Sequence, residues 1–197
     1  MKKIGLMLLS ILISMALFGC EQEKSDETTT VSVGKNGKIV ASIVEDFDKE
    51  YYLEDELKEM IANDIEKYNT SSGDENVKLD TVSVSDGVAR TTLIHKDSKS
   101  YAGFNGVTFF EGTVADAYNA GYSFDDVVLK STAEDGAALD KSGILAEGNM
   151  HIVITDEDIN VRTFRDIAYI SSNVTLVNKK EAVVTETEEP VTYILFK

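Results

Sequence analysis

The chain has 197 residues, 43% of them hydrophobic, and carries 35 acidic against 19 basic side chains for a net charge of −16. That balance opposes nucleic-acid binding, which needs a basic stripe to neutralise phosphates, and it works against lying flat on an anionic membrane. A single cysteine, Cys20, excludes an internal disulfide, so the core alone must hold the fold; a chain of this length can do so as one domain, burying roughly 70% of its unfolded surface.

Lys2 and Lys3 precede an apolar run from Ile4 to Phe18, broken only by Gly5, Ser10 and Ser14. A basic start and an apolar segment of this length form the pattern of a secretory leader. The run is short for a membrane span, which takes about 20 apolar residues. Leu17-Phe18-Gly19-Cys20 resembles the lipobox of bacterial lipoproteins. Leu17, Gly19 and Cys20 match, and Phe18 stands where a small residue is usual. The resemblance implies cleavage before Cys20 and a diacylglyceryl thioether on its sulfur, chemistry that needs a thiolate. Two acyl chains hold a protein stably on a membrane, whereas one gives marginal binding. The expected organisation is a leader over 1–19, the lipidated Cys20 with a polar tether over 20–29, and one domain over 30–197 on the extracytoplasmic face. Loss of Lys2 and Lys3 leaves 17 basic residues against 35 acidic, a net −18. The carboxylates are spread along the chain, as solubility of an exposed domain requires.

Glu21 to Thr30 holds no apolar residue and reads as a solvated tether. Val31–Val33 and Ile39–Val44 are β-branched runs around Asn36-Gly37, which predicts a hairpin. The second run is almost continuously apolar, so a central strand covered on both faces is expected. Leu53, Leu57, Met60, Ile61, Ile65 and Tyr68 recur at spacings of three and four and predict an amphipathic helix over 53–68. Glu54, Asp55 and Glu56 in its first turn suit the helix dipole. Val77–Val84 and Val88–Ile94 flank Asp86-Gly87, a second hairpin. Phe109-Phe110 reads as a buried strand. Thr113 with Asp116 forms a variant capping box for a short helix over 114–120 that Gly121 stops. Val127–Leu129 reads as a short strand and Ser131–Asn149 as a long loop. Met150–Thr155, Ile159–Phe164, Ile167–Ile170, Val174–Val177, Ala182–Val184 and Val191–Phe196 read as strands. Alternating runs joined by tight turns predict an α+β fold with a mainly antiparallel sheet system.

Recognisable catalytic patterns do not occur. The sequence has no serine elbow, no phosphate-binding loop and no dinucleotide-binding glycine pattern. The only histidines are His95 and His151, read as structural or exposed. Asp156-Glu157-Asp158-Ile159-Asn160 presents oxygens like a calcium loop, but Val161 and Ile167 occupy the positions that need glycine and glutamate, so an acidic turn is expected. Asp46, Asp48 and Glu50 read as a solvated connection. No metal and no cofactor is expected. Seven aromatics lie in 101–124, mostly as core, with Tyr101, Phe104 and Tyr122 as candidates for a ligand surface. Arg162 and Arg165 are the remaining candidates, as a clamp for an anion.

Phe47-Asp48-Lys49-Glu50-Tyr51-Tyr52 running into Leu57-Lys58-Glu59-Met60-Ile61 carries a family resemblance, with Phe104-Asn105-Gly106-Val107-Thr108-Phe109-Phe110 and Ile170-Ser171-Ser172-Asn173-Val174-Thr175. These stretches resemble an uncharacterised family of small acidic lipoproteins from low-GC Gram-positive anaerobes. The resemblance implies surface anchoring and a compact mixed domain, and it brings no activity. The function expected is a non-catalytic lipoprotein, held in the membrane through lipid on Cys20, that binds or scaffolds an envelope protein or glycan. The alternatives are a carboxylate-dependent hydrolase of envelope glycan or peptidoglycan and a solute-binding lipoprotein.

Overall fold

A computed structural model describes residues 27–49, 53–134, 136–186 and 189–197. The expected leader, Cys20 and nearly all of the expected tether lie outside the described residues, as does Glu50. The fold is α+β, with two mostly antiparallel sheets.

The chain opens with β1 (Thr30–Val33) and β2 (Ile39–Asp46), the expected hairpin. Gly34 N–H donates to the Lys38 carbonyl at 2.8 Å, and Gly37 takes φ +76° in the turn. Helix α1 (Glu54–Ser72) follows, then β3 (Val77–Ser85) and β4 (Val88–His95). Asp86 and Gly87 both take positive φ, 53° and 73°, the turn whose twist matches that of the strands it joins. The remaining early elements are α2 (Ser98–Asn105), β5 (Phe109–Thr113) and α3 (Val114–Asn119). Then come β6 (Lys130–Ser131), α4 (Lys141–Ala146), β7 (His151–Thr155) and β8 (Asn160–Arg162). Strands β9 (Ile167–Ile170), β10 (Val174–Asn178), β11 (Glu181–Val184) and β12 (Thr192–Phe196) complete the chain.

The first sheet orders its seven strands β10-β11-β8-β1-β2-β4-β3, antiparallel except where β1 runs parallel to β8. The second orders five strands β5-β7-β12-β9-β6, all antiparallel. One core joins the sheets. Val31, Ile39, Leu93 and Val161 of the first meet Phe109, Val153, Ile194 and Phe196 of the second. The opposite face of the five-stranded sheet packs Ile152, Ile154 and Leu195 against Val114 and Ala117 of α3 and Ile144 of α4. The five-stranded sheet is therefore the middle layer, and every residue of β12 is buried.

The sequence expectations are corrected at four places. Strand β2 is central in its sheet but is not covered on both faces, since Val40, Ile43 and Val44 stay half-buried. The doubly covered strands are β7 and β12, whose residues alternate between the two cores. Helix α1 runs to Ser72 and has no fully buried residue; Ile61 and Ile65 lean on the shared core while Leu53 and Met60 are exposed. The described residues contain four helices rather than two. Helix α2, held by an Asp97–Ser100 capping box, begins the aromatic stretch, and α4, capped by Asp140, interrupts the segment read as a loop. Leu129 makes only a single bridge, to Leu139, and its strand continues as Lys130–Ser131. Asp156–Ile159 is the acidic connection expected, with the Asp156 carboxylate accepting the Thr108 amide at 3.0 Å.

Candidate functional site

The aromatic candidates divide between the two cores and form no common groove. Tyr101 is buried, and its hydroxyl donates to Glu157 Oε1 at 3.2 Å. Burial pushes the Tyr101 hydroxyl pKa up, and the Glu157 carboxylate beside it adds to the shift. Burial also raises the Glu157 pKa, against the lowering effect of the Tyr101 hydrogen bond. Phe104 is half-buried, edge-on to Tyr68 at 5.6 Å. A Cβ on Gly103 would meet the Tyr68 hydroxyl at 2.6 Å, so glycine lets α2 approach α1 this closely. Tyr122 packs against Phe110 on the far side of the middle sheet. Tyr101 is thus core rather than ligand surface, and it lies on the other side of that sheet from Tyr122.

The two arginines also part. Arg162 reaches Glu181 at 3.4 Å from the neighbouring strand. Arg165 is exposed, with its guanidinium 5.9 Å from the Phe164 ring centroid.

The histidines differ from one another. His95 is wholly buried and neither ring nitrogen has a hydrogen-bond partner, a structural histidine. His151 opens β7, where its Nδ1 lies 2.9 Å from Glu111 Oε1. Register places Thr113 opposite His151, so Glu111 is its diagonal neighbour on the same face. The ring stacks on Phe196 at 5.3 Å and meets Phe164 edge-on at 5.1 Å. A carboxylate on Nδ1 fixes the tautomer that leaves Nε2 as an acceptor. Among the described residues no group of three or more His, Cys, Asp or Glu could hold a metal ion, and no helix is long and apolar enough to cross a membrane.

The same end of the middle sheet carries a crevice of about 800 Å³. Four strand ends build it. They are the start of β7 with Asn149 and Met150, the end of β12 with Lys197, the start of β9 with Asp166 to Tyr169, and the end of β6 with Ser131 to Ala133. The end of β10 and the turn after it add Leu176, Asn178 and Lys179. Small-molecule sites run from about 300 to 1,000 Å³. The walls are apolar where Ile167 and Leu176 come from the shared core and Met150 and Tyr169 from the second. Charge enters through Lys179 and Lys197 and through Glu147 and Asp166.

Three backbone hydrogen bonds tie the segments around this crevice to one another. Thr163 N–H donates to the Lys180 carbonyl at 2.8 Å, Ile167 N–H to the Lys179 carbonyl at 2.7 Å, and Lys197 N–H to the Asp166 carbonyl at 3.1 Å. Arg165 precedes Asp166 in the same turn. Six lysines elsewhere, Lys49, Lys58, Lys67, Lys78, Lys96 and Lys141, sit within 4.0 Å of a carboxylate. Among the described residues Lys179, Lys180, Lys197 and Arg165 make no such pair, and neither do Lys35, Lys38, Lys99 and Lys130. Of the first four the sequence marked only Arg165. No signal in the chain announces Lys179 and Lys197, because they come from two segments that strand pairing alone brings to one crevice.

No family model, no curated protein and no solved structure matches this chain.

Proposed function

We propose that the chain is an extracytoplasmic lipoprotein, held on the membrane through Cys20, whose folded domain binds a ligand at the crevice without transforming it. The leader pattern and the lipobox-like Leu17-Phe18-Gly19-Cys20 support the anchoring, as does the resemblance to small acidic lipoproteins. The crevice carries the binding half of the reading. A concave site of ligand size, apolar-walled and holding several convergent polar groups, is the usual form of a small-molecule site.

A hydrolase acting through carboxylates requires two of them facing each other across a cleft. Glu147 and Asp166 both line the crevice, beside Lys179 and Lys197, so the same site carries that second reading. The experiment for the anchor is metabolic labelling with palmitate. Wild-type protein takes up label and fractionates with membranes. Cys20→Ala takes up none and is released. Equal labelling of the two would sink the anchoring half of the proposal.

A further inference from the structure

We infer that the crevice takes a zwitterion with an apolar body, the chemistry of a free amino acid or short peptide, its ammonium at Glu147 and its carboxylate at Lys179. The inference rests on the ligand-binding reading above and gives it a chemical class. Its first support is the sign and origin of the charges. The lining sets Lys179 and Lys197 against Glu147 and Asp166, so neither sign prevails. A ligand carrying one charge meets repulsion there as well as attraction. Among the described residues none of these four side chains lies within 4.0 Å of an opposite charge, so each is open to a ligand. Asp166 and Lys197 flank strands of the middle sheet, just before β9 and just after β12, and the Lys197 amide donates to the Asp166 carbonyl at 3.1 Å. Their charges offset each other at the end of that sheet. Glu147 follows α4, which packs on one side of the middle sheet. Lys179 follows β10 of the first sheet, which packs on the other side. A carboxylate thus enters from one flank and an ammonium from the other, the complement of a ligand that carries both charges.

The second support is the wall chemistry. Ile167 and Leu176 come from the shared core and Met150 and Tyr169 from the second. The apolar wall therefore draws on both sides of the middle sheet, as the charges do. The Asn149 side-chain amide also lines the crevice and has no hydrogen-bond partner among the described residues, so it can both donate to and accept from a ligand amide. A small polar zwitterion would leave the apolar wall uncovered, and an uncharged lipid would leave four charges unused. A sugar would call for an aromatic platform, and Tyr169 is one ring among aliphatic side chains. An amino acid or short peptide with a large aliphatic side chain meets both the charges and the wall.

Both cores lie between Val31 and Phe196, so the chain from residue 20 onward with Cys20→Ser retains the whole described fold. Calorimetric titration compares leucyl-leucine with its N-acetyl, C-amide and doubly blocked forms. Free leucyl-leucine should bind at least about fivefold tighter than either singly blocked form, and the doubly blocked form should bind weakest. Glu147→Gln should weaken leucyl-leucine by about fivefold and leave the N-acetyl form unchanged. Lys179→Gln should do the same and leave the C-amide form unchanged. A general disturbance of the crevice would weaken every form alike. Leucine separates the two sources. Binding equal to that of leucyl-leucine assigns the free amino acid, weaker binding assigns the peptide, and either upholds the zwitterion. Ala146→Trp, which narrows the crevice from an exposed helix end, should weaken all ligands, and thermal melts confirm that each variant is folded. Equal affinity of free and blocked peptides, all reduced by Ala146→Trp, would overturn the zwitterion while the ligand site stands. Binding of no peptide would overturn it too, and the fluorescent dye 8-anilinonaphthalene-1-sulfonate then decides the wider reading. Dye binding that Ala146→Trp removes keeps the ligand site, whereas no dye binding, or indifference to that variant, discards it.

Discussion

His95 shows what one buried ring does to the pH dependence of the fold. Tyr101 and Phe104 face it edge-on at 5.1 and 5.6 Å, and it is fully buried with no hydrogen bond at either nitrogen. Burial lowers its pKa from 6.5 to about 4, against weaker upward pulls from the Ser100 backbone and the Asp97 charge. The folded state therefore refuses a proton that the unfolded chain accepts. This contribution to stability is complete above the unfolded pKa of 6.5 and is lost as the pH falls toward 4. The full loss is about 3 kcal/mol. Urea titrations at neutral pH and near pH 4 should show wild type losing about that much more than His95→Phe. Equal losses would mean the ring keeps its proton when folded. At this scale the sequence was only partly legible. It left His95 as structural or exposed, and the Glu111–His151 pair spans 40 residues and exists only through the β5–β7 register. The lysines of the crevice were hidden for the same reason.

The elements that were legible are those whose signals are local. Thr113 caps α3, its Oγ1 accepting the Asp116 amide at 3.1 Å while the Asp116 carboxylate accepts the Thr113 amide at 3.2 Å. The Thr113 hydroxyl, ahead of its backbone, holds the Asp116 pKa below the usual carboxylate range. Helix α2 has the same reciprocal arrangement in Asp97 and Ser100, but serine at the third position is not the glutamate or glutamine that announces a capping box. Its eight residues are also too few to display a periodic face. Helix α4 is shorter still and lies among glycines. Thr113→Ala and Asp97→Ala should each cost about 1 kcal/mol, read as a lowered urea midpoint at unchanged slope. The costs should add in the double variant, because the caps serve different helices. Substitution of Lys99, an exposed residue inside α2 that caps nothing, should leave the midpoint nearly unmoved.

Across the whole molecule, stability should be layered as burial is. Strand β12 has hydrogen-bonded neighbours on both sides, β7 and β9, and belongs to both cores through alternate residues. Its amides can open only when the middle sheet opens. Strand β3 is at an edge, paired with β4 alone and carrying a register shift between Leu79 and Thr81. Helix α1 has no buried residue, and its ion pairs, Lys58–Glu54 and Lys67–Asp64, are exposed, where such pairs add little. Packing of Ile61 and Ile65, the edge contact of Tyr68 with Phe104 and the Asn69 side-chain hydrogen bonds to Asn76 and Val77 attach it to the rest. Removing α1 exposes a small apolar area, so its local opening costs far less than global unfolding. Native-state hydrogen exchange should therefore release α1 first, then the outer amides of β3. The amides of β7 and β12 should exchange last, slower than those of α1 by at least about a hundredfold. Ile65→Ala should speed exchange throughout α1 while leaving β12 at the wild-type rate. Equal protection of α1 and β12 would show that the helix opens only with the core, and the layered account would fail.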